Sequence, residues 1–402
     1  MNRKLNYIWS AFFLAELGRV MYFILITWIL YSLTENAFYT GLLVSLGFLP
    51  GLLMNLWFGV IVDRLNRKAL SVVANLISTL TILMVLFAIW FDVLTPWVII
   101  LAQMIIQLMG SLFRPAIQAF IAEIFPTADL PKVYSQSGSA AIMGGLLGAS
   151  LGGIAIGVFS EFITMSIVVV SFILATVFLY LIPKTELLQK EEKNSERKSV
   201  VKDLLEGFTY LKSNAFLFSL FGTMFVGQLV FHSSITFLSV YTKDYLSQTV
   251  TVYGFLDATL SLGGVIAGIL GTWWWNKSSN YLSTNSLVVV FAGLCLVGFS
   301  TNLYIAFIGV FLIGLGTTWI RILIQSIQQM ATDKAYHGRM ASYRMLCNQG
   351  SVVISGPILG WIATYGANSV YISLLIPVGL GALLCLKQAT QEKFKKITER
   401  PV

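Results

Sequence analysis

The sequence predicts an all-α membrane protein whose twelve transmembrane helices form two pseudo-symmetric six-helix bundles. Three observations carry this. Of 402 residues, 57% are hydrophobic and 11% charged, against roughly 25% charged in a soluble domain. The apolar residues come in runs of about 20, the length that crosses a bilayer as a helix. The runs divide six and six around a charged linker, and motifs of the first half return in the second.

The spans are expected at 7–32, 38–62, 69–91, 96–122, 133–157, 162–183, 213–240, 251–275, 282–301, 303–330, 340–363 and 368–388. The first apolar run continues to Leu33 without a small-x-small cleavage site, so it reads as a span rather than a signal peptide. Twelve spans put both termini on one side, and charge decides which. Two basic residues precede the first span, three lie in 63–68, one is Lys132, seven lie in 184–212, one is Lys277, two lie in 331–339 and five follow 386. The opposite connections hold only Lys243. Basic residues concentrate on the cytoplasmic side, so both termini are expected in the cytoplasm.

The net charge of +8 does not call for nucleic acid. The basic residues flank apolar runs, where anionic headgroups account for them. Cys295, Cys347 and Cys385 have no Cys-x-x-Cys spacing, which implies neither disulfide nor metal site. There is no Gly-x-x-x-x-Gly-Lys-Ser/Thr phosphate loop and no His-Glu-x-x-His, so neither an ATP-driven pump nor a zinc hydrolase is supported. No cofactor is expected.

Residues 1–183 read as the first bundle, 184–212 as a cytoplasmic linker, and 213–402 as the second bundle with a cytoplasmic tail. Val200, Leu204, Leu205, Phe208 and Leu211 have helical spacing, so the end of the linker is expected to be an amphipathic interfacial helix. Arg114-x-x-x-Gln118 returns as Arg321-x-x-x-Gln325 after 207 residues, and Gly148-x-x-x-Gly152 as Gly356-x-x-x-Gly360 after 208. Two intervals that agree within one residue point to homologous halves, the build of a transporter with its site at the repeat interface.

Ionisable residues inside spans cost at least roughly 2.5–3.5 kcal/mol each and are functional candidates by default. They are Glu16, Arg19, Arg114, Asp257, Arg321 and Arg344. Glu16 and Arg19 are three apart and are expected to pair on one helix face. Asp257 has no basic neighbour in sequence. Both carboxylates are candidates to carry a proton. Gln103, Gln107, Ser111, Arg114 and Gln118 form a polar stripe that must face a cavity or another helix. With Arg19, Tyr22, His232, Arg321, Gln325 and Asn348, the residues Gln107, Arg114 and Gln118 are the expected substrate contacts. Arginine recognises carboxylate or phosphate through paired hydrogen bonds, which favours a substrate with an anionic group.

The stretch Gly59-Val-Ile-Val-Asp63-Arg64-Leu-Asn66-Arg67-Lys68 is a charged turn between two spans. It resembles the loop 2–3 signature of the major facilitator superfamily, with Asn66 in place of the second glycine. Gly59 is expected to let helices approach closely, and Asn66 to tolerate a left-handed turn. Gly144-Gly145-x-x-Gly148-Ala149-x-x-Gly152-Gly153 resembles the antiporter signature of that superfamily, with Ala149 in the proline position. The resemblance implies that Gly59, Asp63, Arg64, Arg67 and Lys68 form a conformational latch, and that Gly144, Gly148 and Gly152 form a face on which helices rock. The family's helix 4 arginine is not carried over, because Gln107 stands near its position and Arg114 lies two turns deeper.

The whole chain resembles the macrolide-efflux-like branch, which also holds siderophore and metallophore exporters. This implies proton-driven export of a small amphiphilic organic compound, of drug or macrolide type, by a monomer in a bacterial cell membrane. The alternative is an anionic or zwitterionic metallophore of the staphylopine or enterobactin kind. An importer of the same fold is the rival that the glycine pattern argues against.

Overall fold

The computed structural model describes residues 2–183, 200–333 and 336–398. Among these residues every regular element is helical, and twelve helical stretches are long and apolar enough to cross a membrane. The first six are α1 (Asn2–Thr34), α2 (Ala37–Arg64), α3 (Arg67–Trp90), α4 (Pro96–Ile124), α5 (Leu130–Val158) and α6 (Glu161–Leu181). A non-spanning helix, α7 (Val200–Ser213), follows; the linker residues 184–199 lie outside the described ones. Next come α8 (Ala215–Val240), extended by a π segment at Tyr241–Tyr245, then α9 (Val250–Ile269), α10 (Gly271–Ser278) and α11 (Leu282–Phe299). A second π segment, Ile320–Ile324, joins α12 (Leu303–Trp319) to α13 (Gln325–Ala331). The chain ends with α14 (His337–Ala363), α15 (Ser369–Ala389) and the short α16 (Glu392–Thr398).

Short polar residues fix where the apolar helices begin. The side chains of Asn36, Asn66, Thr95, Ser160, Asn214 and Asn302 each accept a backbone N–H of the first turn that follows. Such caps satisfy donors that a helix start leaves orphaned. Asn66 therefore does not serve as a left-handed residue: its φ is −65°, and its side chain accepts from Ala69 N–H at 3.0 Å.

Contacts divide the described residues into two units. The first holds α1 to α6 together with Gln248–Ala258, which includes the first half of α9. The second holds α7, α8 and everything from Thr259 onward. The six-and-six division gave all of α9 to the second half, and the difference has a steric cause. A Cβ on Gly153 of α5 would lie 2.7 Å from Gly254 Cα, so α5 and α9 touch backbone to backbone. The Thr251 hydroxyl donates to Gly153 O at 3.2 Å across the same crossing.

Each unit repeats one packing plan. In the first, α1 packs on α5 and α6, and α3 on α4 and α6. In the second, α8 packs on α14 and α15, and α11 on α12 and α15. Taken as spans, this is the same pairing shifted by six, which agrees with the repeat in the sequence.

Candidate functional site

In the first unit, α1 carries Glu16 and Arg19 one turn apart. Arg19 Nε donates to Glu16 Oε2 at 2.8 Å, and Arg19 Nη2 donates to Glu16 Oε1. The fork is half-buried, with side-chain exposures of 39% for Arg19 and 26% for Glu16. Arg114 of α4 is exposed and within the electrostatic reach of both. Asp257 of α9 is 6% exposed and interacts electrostatically with Arg19. Its sequence neighbours hold no cation, yet the fold supplies one, because the first half of α9 belongs to this unit. One turn before Asp257, the buried Tyr253 hydroxyl shares a 2.8 Å hydrogen bond with Thr27, and its ring lies 6.1 Å from that of Trp28. One unit thus gathers two arginines and two carboxylates, with Arg19 bonded to Glu16 and within electrostatic reach of Asp257.

The position of α1 is set by glycines. Cβ atoms on Gly148 and Gly152 would lie 2.6 Å from Leu17 O and 3.2 Å from Met21 Cα, and one on Gly144 would collide with Phe13 O. These three let α5 lie directly against the backbone of α1, where Glu16 and Arg19 stand. Gly145 meets only side chains of α1, and its Cβ would come no closer than 3.8 Å, to Glu16 Cγ.

The second unit places Arg321 inside its π segment. A π-bulge turns a side chain off the regular helical register and is common at functional sites. The Arg321 guanidinium lies 5.4 Å from the centroid of the Phe231 ring. The His232 ring stands edge-on to Phe231 at 5.4 Å, and His232 Nε2 is 2.7 Å from Asn348 Oδ1. Gln325 is the half-buried residue that follows the π segment. Arg344 Nη1 donates to Gln328 Oε1 at 3.0 Å, tying α14 to α13.

Several expected contacts lie elsewhere. Tyr22 is 1% exposed and packs in the core of the first unit, not on an accessible surface. The polar stripe of α4 divides. Gln103 and Ser111 fill the space above Gly47 and Gly51 of α2, where a Cβ would lie 2.9 Å from Gln103 Cγ and 2.5 Å from Ser111 Oγ. The Gln107 stem lies along Gly47, while Arg114 and Gln118 are exposed. Gly47-x-x-x-Gly51 is a small-residue spacing that could have announced this packing.

In the charged turn, Arg67 pairs with Glu123 at the end of α4, at 3.1 Å. Lys68 donates to Tyr180 O and Ile182 O at 2.7 and 2.6 Å, closing the C-terminal end of α6. Arg64 is exposed. The Asp63 side chain lies outside the described ones. Gly59 makes no close approach, since a Cβ there would meet nothing within 4 Å. Among the described residues, no cluster of three His, Cys, Asp or Glu could hold a metal.

Twelve spans, two units with one packing plan, and ionisable groups held inside each describe a membrane transporter built from repeats. The chain belongs to the major facilitator superfamily, whose family model matches residues 8–355 and again 233–401. It is 26% identical over 380 residues to the multi-drug resistance efflux pump PmrA of Streptococcus pneumoniae, covering 90% of this chain and 89% of that one. It is 23% identical over 283 residues to macrolide efflux protein A of Streptococcus pyogenes, covering 68% of each. Among solved structures, a bacterial homologue of the iron transporter ferroportin superposes with a TM-score of 0.75 at 13% identity, covering 97% of this chain and all of that one. That likeness concerns the fold alone.

Proposed function

We propose that the protein exports small amphiphilic organic compounds, of drug or macrolide type, in exchange for protons. Transport proceeds by alternating access in a bacterial cell membrane, with both termini cytoplasmic and the monomer as the working unit. The 1–183 and 213–402 bundles are the moving halves, joined by the 184–212 linker. The 248–258 stretch with Asp257, which clusters with the first unit, is the part of the second bundle whose setting changes as they move. The observation that carries this reading is the charge set of the first unit. Arg19 is bonded to Glu16 and felt by Asp257, so it can release one carboxylate while holding the other. A carboxylate that loses its arginine inside a low-dielectric span takes up a proton, and one that regains it gives the proton back. The names of the efflux relatives support the direction of transport.

Arg114, Gln118, His232, Arg321, Gln325 and Asn348 form the substrate contacts in this reading, with Gln107 at the margin. Asp63, Arg64, Arg67 and Lys68 form the latch. Everted vesicles test it: a macrolide should accumulate when a proton gradient is imposed and leave when an ionophore collapses it. Accumulation in intact cells instead would mean import and overturn the reading. A second reading, export of an anionic metallophore, is favoured by the two arginines, Arg321 and Arg344, in the spans of the second unit.

A further inference from the structure

α7 is short and lies outside the spans, yet it is tied to the second unit by several independent contacts. The Tyr210 hydroxyl donates to Asp333 Oδ2 at 3.1 Å, and Asp333 N–H donates back to the Tyr210 oxygen at 3.2 Å. The Tyr210 ring stacks on Tyr336 with centroids 4.0 Å apart and planes within 6°. Arg339 pairs with Glu206 at 2.9 Å, and its guanidinium lies 5.1 Å from the Tyr336 ring. Gly207 permits the approach: a Cβ there would lie 2.9 Å from the Tyr343 ring and 3.2 Å from Arg339 Cβ. Burial, with the Asp333 carboxylate behind it, pushes the Tyr210 hydroxyl above its ordinary pKa, which keeps the proton on the donor.

These partners follow one another along the chain: Asp333 and Tyr336 in the turn between α13 and α14, and Arg339 and Tyr343 in the first two turns of α14. Asp333 follows α13 by two residues, and α13 begins directly after the π segment that carries Arg321. Arg339 lies at the start of α14, whose next turns carry Arg344, bonded to Gln328, and Asn348, bonded to His232. The turn is therefore the common root of the segments that bear Arg321, Gln325 and Asn348; His232, the remaining contact of this unit, stands on α8 and is reached through Asn348. An exposed ion pair contributes little by itself. A stacked ring pair and a reciprocal hydrogen bond on the turn, with a glycine-permitted approach to the first two turns of α14, define its place.

We infer that Tyr210 and Gly207 are positioning residues: through them α7 clamps the α13–α14 turn and sets where Arg321 and Asn348 stand. The clamp lies at the linker, so the segment that joins the halves also aligns the substrate contacts of one of them. This rests on the reading of Arg321 and Asn348 as substrate contacts, and its test separates the two ideas.

Amide hydrogen exchange on the purified full chain in nanodiscs reads the clamp without any substrate. Tyr210→Ala and Gly207→Val should raise exchange at 325–333 and 337–348 about tenfold and leave α1 to α6 unchanged. Tyr210→Phe keeps the stack and should restore most of the protection, and Lys212→Ala, on the exposed side of α7, should match the parent. In vesicles, with ethidium as the probe, the two clamp variants should raise KM severalfold at unchanged maximal rate. Unchanged exchange, a rise spread evenly over the chain, or a loss of maximal rate alone would overturn the proposal. If the parent chain moves no ethidium and no macrolide, the export reading fails, and the exchange result still decides the clamp.

Discussion

Replacing Gly148 by alanine tests how α1 is held. The new Cβ would lie 2.6 Å from Leu17 O and 3.1 Å from Leu17 Cα, both backbone atoms. Ordinary contact begins at 3.4 Å, so α1 and α5 must part by about 0.8 Å. No side-chain rotation relieves this, and overpacking of such a site costs about 1–3 kcal/mol. Glu16 and Arg19 ride on the same helix, so their mutual pair survives while their distances to Arg114 and Asp257 change. Gly148→Ala should lower the thermal midpoint in detergent by about 2 °C or more and abolish most macrolide efflux from vesicles. Gly145→Ala is the control, because its Cβ meets nothing closer than 3.8 Å. Equal stability and equal transport in the two variants would refute the claim that α1 is seated on glycines.

Arg321→Gln should raise the KM for an anionic probe such as carboxyfluorescein at least tenfold, and Arg321→Lys less; unchanged KM in both would remove the anion contact. The Arg67–Glu123 pair has side-chain exposures of 20% and 41%, so a double-mutant cycle should give a coupling of about 0.2–1 kcal/mol in stability. A transport loss far larger than that coupling would mark the pair as a latch rather than a brace. The Tyr210 pKa is raised, so its bond to Asp333 is fully present below the ordinary tyrosine value of about 10 and is lost only as pH rises past the folded one. Exchange protection of the α13–α14 turn should therefore be flat between about pH 6 and 8, and a transition there would mean another group governs the clamp.

Spans and repeat were legible because a bilayer forces long apolar runs and because the two halves keep their motifs in phase. The Glu16–Arg19 pair was legible from a three-residue spacing on one helix. The partner of Asp257 was not, since it depends on α9 lying against α5 through Gly153 and Gly254, a contact far apart in sequence. The π segment at Arg321 leaves no compositional trace: Ile320 to Ile324 reads as ordinary helix. Tyr22 misled because an aromatic on α1 looks the same whether its face meets a cavity or the core. Gly59 misled because a glycine announces close approach only when a neighbour arrives, and here none does.

The central claim is that Glu16 and Asp257 share Arg19 and carry the proton. The most direct measurement is macrolide-induced proton movement in reconstituted vesicles containing a pH-sensitive dye, compared for the parent, Glu16→Gln, Asp257→Asn and the double variant. The account predicts that the parent moves protons with substrate, that each single variant loses most of the coupled flux, and that the double variant loses all of it. Full proton-coupled transport in the double variant would contradict the account and move the proton to another group.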